Sequence, residues 1–93
     1  MIKIKFLIKG RVQGVFFRKG AKKIAQKLDI SGWVRNLSTG EVEVLAIGNE
    51  EAINSFTKWL KIGPKFARVD KLEILFWRET NKANGKFQIK PDF

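Results

Sequence analysis

One arginine, Arg18, stands where a strand pattern passes into a helix pattern, directly after the glycine-punctuated stretch that starts at Gly10. A turn of this kind leaves several backbone N–H groups unpaired and aimed at one point. The positive end of the helix dipole and the guanidinium add charge of the same sign. The sequence therefore predicts a cradle for an anion of phosphate size. The stretch that forms this cradle runs from Gly10 to Arg18.

The spacing of apolar residues indicates the first elements that must hold this loop. Alternation from Ile2 to Ile8 predicts a half-buried strand. Apolar residues at helical spacing from Phe17 to Leu28 predict a helix that ends near Asp29. Residues 33–37 and 41–47 then read as two strands of a hairpin, joined by a turn at 38–40.

The second half of the chain continues with a helix that Asn49 can cap and that Gly63 and Pro64 stop. A strand from 70 or 71 to 77, a polar loop over 79–85 and a short strand at 87–89 follow. The order predicts an α+β ferredoxin-like sandwich, βαββαβ plus a short extra strand, with an antiparallel sheet and two helices on one face. With 93 residues, we expect one domain over 1–93.

Composition excludes several kinds of chemistry. There is no cysteine and no histidine, hence no disulfide, no thiolate nucleophile and neither of the usual zinc ligands. We therefore expect no metal and no cofactor. Apolar runs of the roughly 18–20 residues needed to span a membrane are missing, and the first residues read as a strand, so we expect a cytoplasmic protein without a membrane partner.

The net charge of +10 favours anionic partners. The lysines are nevertheless scattered through every element and form no long run, which is typical of a solvated basic surface. We therefore expect no nucleic-acid partner.

Three motifs in order resemble the acylphosphatase family. They are Gly10-x-Val12-Gln13-Gly14-Val15-x-Phe17-Arg18, Gly32-Trp33-Val34-Arg35-Asn36 and Gly40-x-Val42-Glu43. Gly63-Pro64 and Ala67-Arg68-Val69-Asp70 also resemble the family's later pattern, whereas Lys65-Phe66 is a looser match because a second proline is common there. The resemblance covers the chain from its first strand to its last.

The resemblance implies metal-free hydrolysis of the carboxyl–phosphate bond of acyl phosphates. It places the catalytic arginine at Arg18, the catalytic asparagine at Asn36 and the phosphate loop at 13–18. The implied partners are a small-molecule acyl phosphate and inorganic phosphate, and we expect a monomer.

The residue types support this chemistry independently. The Arg18 guanidinium is a planar fork that fits two phosphate oxygens, and an asparagine such as Asn36 can orient a water molecule through its carbonyl and its NH₂. Asparagine is not a base, but a carboxylate leaving group, with a conjugate-acid pKa near ~4, needs no general acid. A phosphate oxygen of the substrate accepts the water proton, or the reaction passes through an unassisted loose transition state. The sequence leaves both routes open.

Other interpretations compete with this one. An RNA-binding plait shares the topology, although the predicted third strand carries two glutamates and no aromatic residue. A regulatory module that holds an anion without hydrolysing it would differ only in activity. Packing is the favoured role of Trp33, Trp59 and Trp77, and Arg35 and Glu43 are placed to pair across neighbouring strands.

Overall fold

The computed structural model describes residues 1–81 and 85–93. Its helices and strands follow one another in the order that the hydrophobic pattern predicts, and a short strand comes last. In chain order they are β1 (Ile2–Arg11), α1 (Phe17–Lys27), β2 (Ser31–Asn36), β3 (Val42–Gly48), α2 (Glu50–Ile62), β4 (Arg68–Glu79) and β5 (Phe87–Ile89).

The strands form one sheet in the order β4-β1-β3-β2-β5. The four long strands pair antiparallel, as predicted, whereas β5 runs parallel to β2 and makes the sheet mixed. Both helices contribute to one core with the alternate residues of β1, so they cover the same face of the sheet. This arrangement confirms the ferredoxin-like α+β sandwich.

The hydrophobic core is formed by the residues that strand alternation and helical spacing predict to be buried. Every second residue of β1 from Ile2 to Ile8 is buried, whereas the lysines between them lie on the open face. Phe17 at the start of α1 packs against Trp59 of α2, with ring centroids 5.5 Å apart. Gly20 lets the two helices approach, because a Cβ there would lie 2.9 Å from the Trp59 ring. Phe17 therefore anchors the end of α1 that follows the phosphate loop.

Several elements differ from the predicted bounds. β1 continues past Ile8 to Arg11, into the predicted turn, and β3 covers Val42–Gly48 instead of 41–47. β2 begins at Ser31 and ends at Asn36, whereas the pattern indicated 33–37. β4 is longer at both ends than the predicted strand, since charged residues of an edge strand hide its alternation. Two register shifts in the β1–β4 pairing obscure the pattern further. The predicted polar loop overlaps β4 at Glu79, and its residues 82–84 lie outside the described residues.

Candidate active site

The sheet register brings the phosphate loop and Asn36 to the same end of the sheet. Ile8 of β1 pairs with Val42 of β3, and Val42 pairs with Asn36 at the end of β2. The loop leaves β1 just beyond this row. Asn36 shares the helix-covered face with its partner Val42, which is fully buried. The Asn36 side chain therefore faces the layer in which α1 begins.

The loop backbone alternates between left-handed and ordinary conformations. Gly14 has φ 73° and Phe16 has φ 64°, whereas φ is not positive at Val15 between them. Such alternation forms a concave nest in which successive N–H groups converge. The side chains of Val15 and Phe17 are buried and fix the loop from below. At Gly14 an added Cβ would meet no atom within 4 Å, so the space above the turn is open to a ligand.

The backbone N–H groups in the first turn of α1 lack hydrogen-bond acceptors within the helix. The first helical hydrogen bond runs from the Gly20 N–H to the Phe16 carbonyl at 3.0 Å. The amides of the preceding helix residues therefore have no partner inside the helix. In the described ranges, no side chain caps this end, and no acidic residue occupies the first turn. The loop and the helix end together form an electropositive concavity.

The Gln13 side chain ties the loop to the β2–β3 turn. Its Nε2 donates to the carbonyl of Leu37 at 2.8 Å and to that of Glu41 at 2.9 Å. Both amide hydrogens are thereby occupied, so Gln13 can offer an anion only its backbone N–H. The two bonds also fix the loop relative to Asn36, which directly precedes Leu37. This positioning role adds to the predicted place of Gln13 in the phosphate loop.

Arg18 has one definite partner. Its Nη1 donates to the Oδ1 of Asp92 at 2.9 Å, while about a third of the Arg18 side chain stays exposed. A guanidinium carries five N–H donors, so this bond leaves others for a phosphate group. Asp92 therefore neutralises and orients Arg18 while part of the fork remains open.

Asn36 is buried and has an unused polar atom. The residue is 7% exposed, and no described residue donates to its Oδ1. A buried carbonyl oxygen without a donor is costly and rare in folded proteins. Its backbone carbonyl, by contrast, accepts from the Phe93 N–H at 2.9 Å. The Asn36 backbone is thus fixed by a hydrogen bond, whereas its side-chain oxygen accepts none from the described residues.

Asp92 and Phe93 link the two predicted catalytic residues. Asp92 bonds to the Arg18 side chain, and the next residue bonds to the Asn36 backbone, so Arg18 and Asn36 share one short connection. Sequence reasoning did not predict this contact. Arg18 and Asp92 are 74 positions apart, and no local periodicity marks the segment after β5. Only the parallel pairing of β5 with β2 brings it there.

The open face of the sheet carries a network of charges and rings. Arg35 Nε donates to Glu43 Oε1 at 2.7 Å, which confirms the predicted cross-strand pair, and Lys5 lies 3.7 Å from the other oxygen. Lys5, Arg35 and Lys90 also lie over the Trp33 ring, at 4.8–5.5 Å from its centroid. Trp33 thus packs with the protein's own cations, as predicted.

A second ionic cluster lies on the same face toward the loop end of β1. Lys9 pairs with Glu73 at 3.1 Å and with Glu41 at 3.5 Å, and Lys71 pairs with Glu73 at 3.2 Å. The hydrogen bond to Glu73, reinforced by its charge, raises the pKa of Lys9. The bonds from Lys9 and Lys71 lower the pKa of Glu73. These exposed pairs steady the sheet surface and lie apart from Arg18.

Over residues 1–81 and 85–93, no three His, Cys, Asp or Glu residues are grouped closely enough to hold a metal ion. No helix in these ranges is long and apolar enough to cross a membrane.

Comparisons with known proteins agree on one family. The family profile described as "Acylphosphatase" matches residues 4–89. An acylphosphatase of Legionella pneumophila (strain Corby) is 59% identical over 63 residues, covering 68% of this chain and 69% of the relative. An acylphosphatase of Pyrobaculum arsenaticum is 38% identical over 94 residues, covering 100% and 98%. The crystal structure of acylphosphatase from Bacillus subtilis superimposes with a TM-score of 0.91 at 34% identity, covering 97% and 99%.

Proposed function

Because the chain belongs to the acylphosphatase family and its activity is the hydrolysis of acyl phosphates, we propose that Arg18 and Asn36 are its catalytic residues. The phosphate site is the loop from Gln13 to Arg18. The reaction transfers the phosphoryl group from a carboxylate to water and releases inorganic phosphate.

The loop and Arg18 bind the phosphoryl group. Phosphoryl transfer requires mainly positioning and stabilisation of charge on the three equatorial oxygens. The amides of the nest and of the first turn of α1 are oriented before substrate arrives, so they stabilise charge without reorganising. The Arg18 donors not used by Asp92 supply charge-assisted hydrogen bonds to the same oxygens.

Asn36 orients the attacking water. Its Oδ1 accepts a hydrogen bond from that water and directs a lone pair toward phosphorus, in line with the departing carboxylate oxygen. The unused buried acceptor of Asn36, at the end of the sheet where the loop and α1 begin, is the observation that carries this proposal. The carboxylate leaves without protonation at neutral pH. We assign the water proton to a phosphate oxygen of the substrate.

The decisive experiment is hydrolysis of benzoyl phosphate in the presence of a chelator, with wild type, Arg18→Ala and Asn36→Ala. Loss of the guanidinium should reduce kcat/KM on the order of a thousandfold. Loss of the carboxamide should lower kcat about a hundredfold and leave KM and phosphate inhibition nearly unchanged, since water rather than phosphate is misplaced.

Two matched variants test the geometry of the Arg18 guanidinium and the neutrality of the Asn36 carboxamide separately. Arg18→Lys keeps the charge but not the fork and should recover only part of the activity. Asn36→Asp keeps the shape but adds a negative charge beside the phosphate, so it should also weaken inhibition by phosphate. Wild-type rates in both alanine variants, with the fold retained by circular dichroism, would refute the assignment.

The same proposal includes the molecular setting. We assign residues 1–93 to one domain that acts as a monomer in the cytoplasm. The absence of cysteine is compatible with a reducing compartment. Sedimentation at micromolar concentration tests the oligomeric state directly.

A further inference from the structure

We propose that the groove between α1 and β5 binds the acyl part of the substrate and selects acyl groups that carry a second negative charge. This inference rests on the proposed function, because it assumes that the phosphoryl group occupies the loop at Arg18. The groove has a volume of about 520 Å³ and is lined by Lys19, Lys22, Lys23, Gln26 and Ile89.

The position of the groove connects it to the phosphate site. Ile89 lies three positions before Asp92, and Asp92 bonds to Arg18, so the groove leads from β5 toward the start of α1. Arg18 and Lys22 are four positions apart on one helix face, where Cβ atoms lie about 5–6 Å from each other. An acyl group attached to a phosphate at Arg18 could therefore lie along the groove.

The groove lining combines cations with an apolar floor. Its four α1 residues follow the spacing i, i+3, i+4, i+7, which places them on one stripe of the helix. Lys22 is half-buried, whereas Lys19 and Lys23 are exposed. Ile89 is 41% exposed and supplies apolar surface beneath the lysine stems. Such a lining fits a short carbon skeleton that ends in an anion.

Among the residues that the structure describes, no ion pair balances the charge of the groove. The ion pairs of the described residues include neither Lys19, Lys22 nor Lys23. Like charges at i, i+3 and i, i+4 repel each other and weaken a helix. A cluster that costs stability in the free protein and lies beside an anion site is best satisfied by a bound anion. A single carboxylate on the acyl group supplies that charge.

The test compares two substrates that share the same ring and phosphoryl group, benzoyl phosphate and 4-carboxybenzoyl phosphate. The para carboxylate points away from the phosphoryl group, toward the second turn of α1. Wild type should show a kcat/KM about three to ten times higher for the carboxylated substrate at low salt, as expected for two or three exposed ion pairs. The preference should lie mainly in KM and shrink as salt is added.

Matched variants locate the preference. The triple variant Lys19→Gln, Lys22→Gln, Lys23→Gln should bring the ratio of the two kcat/KM values close to one. The control variant Lys27→Gln, Lys58→Gln, Lys61→Gln removes the same charge outside the groove and should keep the wild-type ratio.

Three outcomes would overturn the inference: a wild-type ratio near one, an unchanged ratio in the groove variant, or an equal loss in the control. In each of them benzoyl phosphate is still hydrolysed, so the proposed function stands. If neither substrate is hydrolysed, the proposed function itself fails and the groove assignment fails with it.

Discussion

The two helices begin in opposite ways. At the start of α2, the Asn49 Oδ1 accepts from the Ala52 N–H at 2.8 Å, and Glu50 and Glu51 lie in the first turn. At the start of α1, the residue before the helix is Phe16 in the left-handed region, and the first turn holds Arg18 and Lys19 instead of acids. Both helix ends carry the same partial positive charge. Only α2 neutralises it with its own side chains.

This difference indicates that the start of α2 contributes to stability, whereas the start of α1 is suited to binding a ligand. A cap and two acids satisfy the end of α2, so nothing remains there for a ligand to gain. Cations at the positive end of α1 are unfavourable, by about 0.3–1 kcal/mol each. The same features make the amides of α1 available and attractive to a phosphate group. The poorly satisfied end of α1 in the free protein therefore supports the proposed phosphate site.

The largest test of this comparison is ligand-dependent stability. Inorganic phosphate at about 100 times its Kd should stabilise wild type by about 2.7 kcal/mol, because only the folded loop binds it. Arg18→Gln should lose most of this gain. Thermal unfolding with and without phosphate measures both, with sodium chloride at equal ionic strength as the control. An equal rise in melting temperature for Arg18→Gln would place the anion elsewhere.

A smaller effect is expected when the first turn of α1 receives an acidic residue like those in the first turn of α2. Lys19→Glu puts an acid in the first turn, which should raise the free energy of unfolding by about 0.5 kcal/mol. The new charge should also weaken competitive inhibition by phosphate about tenfold at low salt. Lys58→Glu, on the exposed side of α2, makes the same charge change away from the site. If both variants weaken inhibition equally, net charge rather than the helix end controls binding.

The reciprocal change concerns α2 alone. Asn49→Ala removes the cap and should lower the free energy of unfolding by about 1 kcal/mol. Asn49→Asp should retain most of that stability, because aspartate caps equally well. Urea unfolding measures the loss. Neither variant should change kcat/KM for benzoyl phosphate, and a loss of activity at full folding would show that the two helix ends are coupled.

Much of this contrast could be predicted from the sequence, and the reasons are local. Asn49 followed by two glutamates is a cap signal, and Gly63 marks the helix end within one turn. The periodicity that begins at Phe17 predicted α1 closely. The position of Arg18 between a strand pattern and a helix pattern already indicates an anion site. Asn36 is identified only by the motifs shared with a family, because spacing alone marks it as an ordinary residue before a turn.

The rest depends on contacts between distant parts of the chain. The parallel pairing of β5 places Asp92 on Arg18 and Phe93 on Asn36, and three residues of strand carry too little pattern to predict their partner. The hydrophobic pattern underestimates the length of β4, because the register of β4 shifts against β1 and the ends of β4 are charged. Long-range pairing, rather than propensity, decided these features.

The smallest expected effect is a pH dependence of the ionic cluster around Glu73, on the open face of the sheet. Its partners lower the pKa of Glu73 below the ordinary 4.5. A lowered pKa means that this contribution to stability is complete above pH 4.5 and is lost as the pH falls through the folded value. Glu73→Gln should therefore reduce the melting temperature slightly at pH 7 and not at pH 2.5. An equal reduction at both values would indicate lost packing instead.

The attachment of residues 92 and 93 has a consequence for heat resistance. These residues hold Arg18 and Asn36, yet they follow a strand of only three residues at the sheet margin. Short marginal strands open at a fraction of the free energy needed to unfold a whole domain. Catalysis should therefore fade on warming while the four long strands and both helices are still intact. The enzyme's working range would then be set by its last few residues, not by its interior.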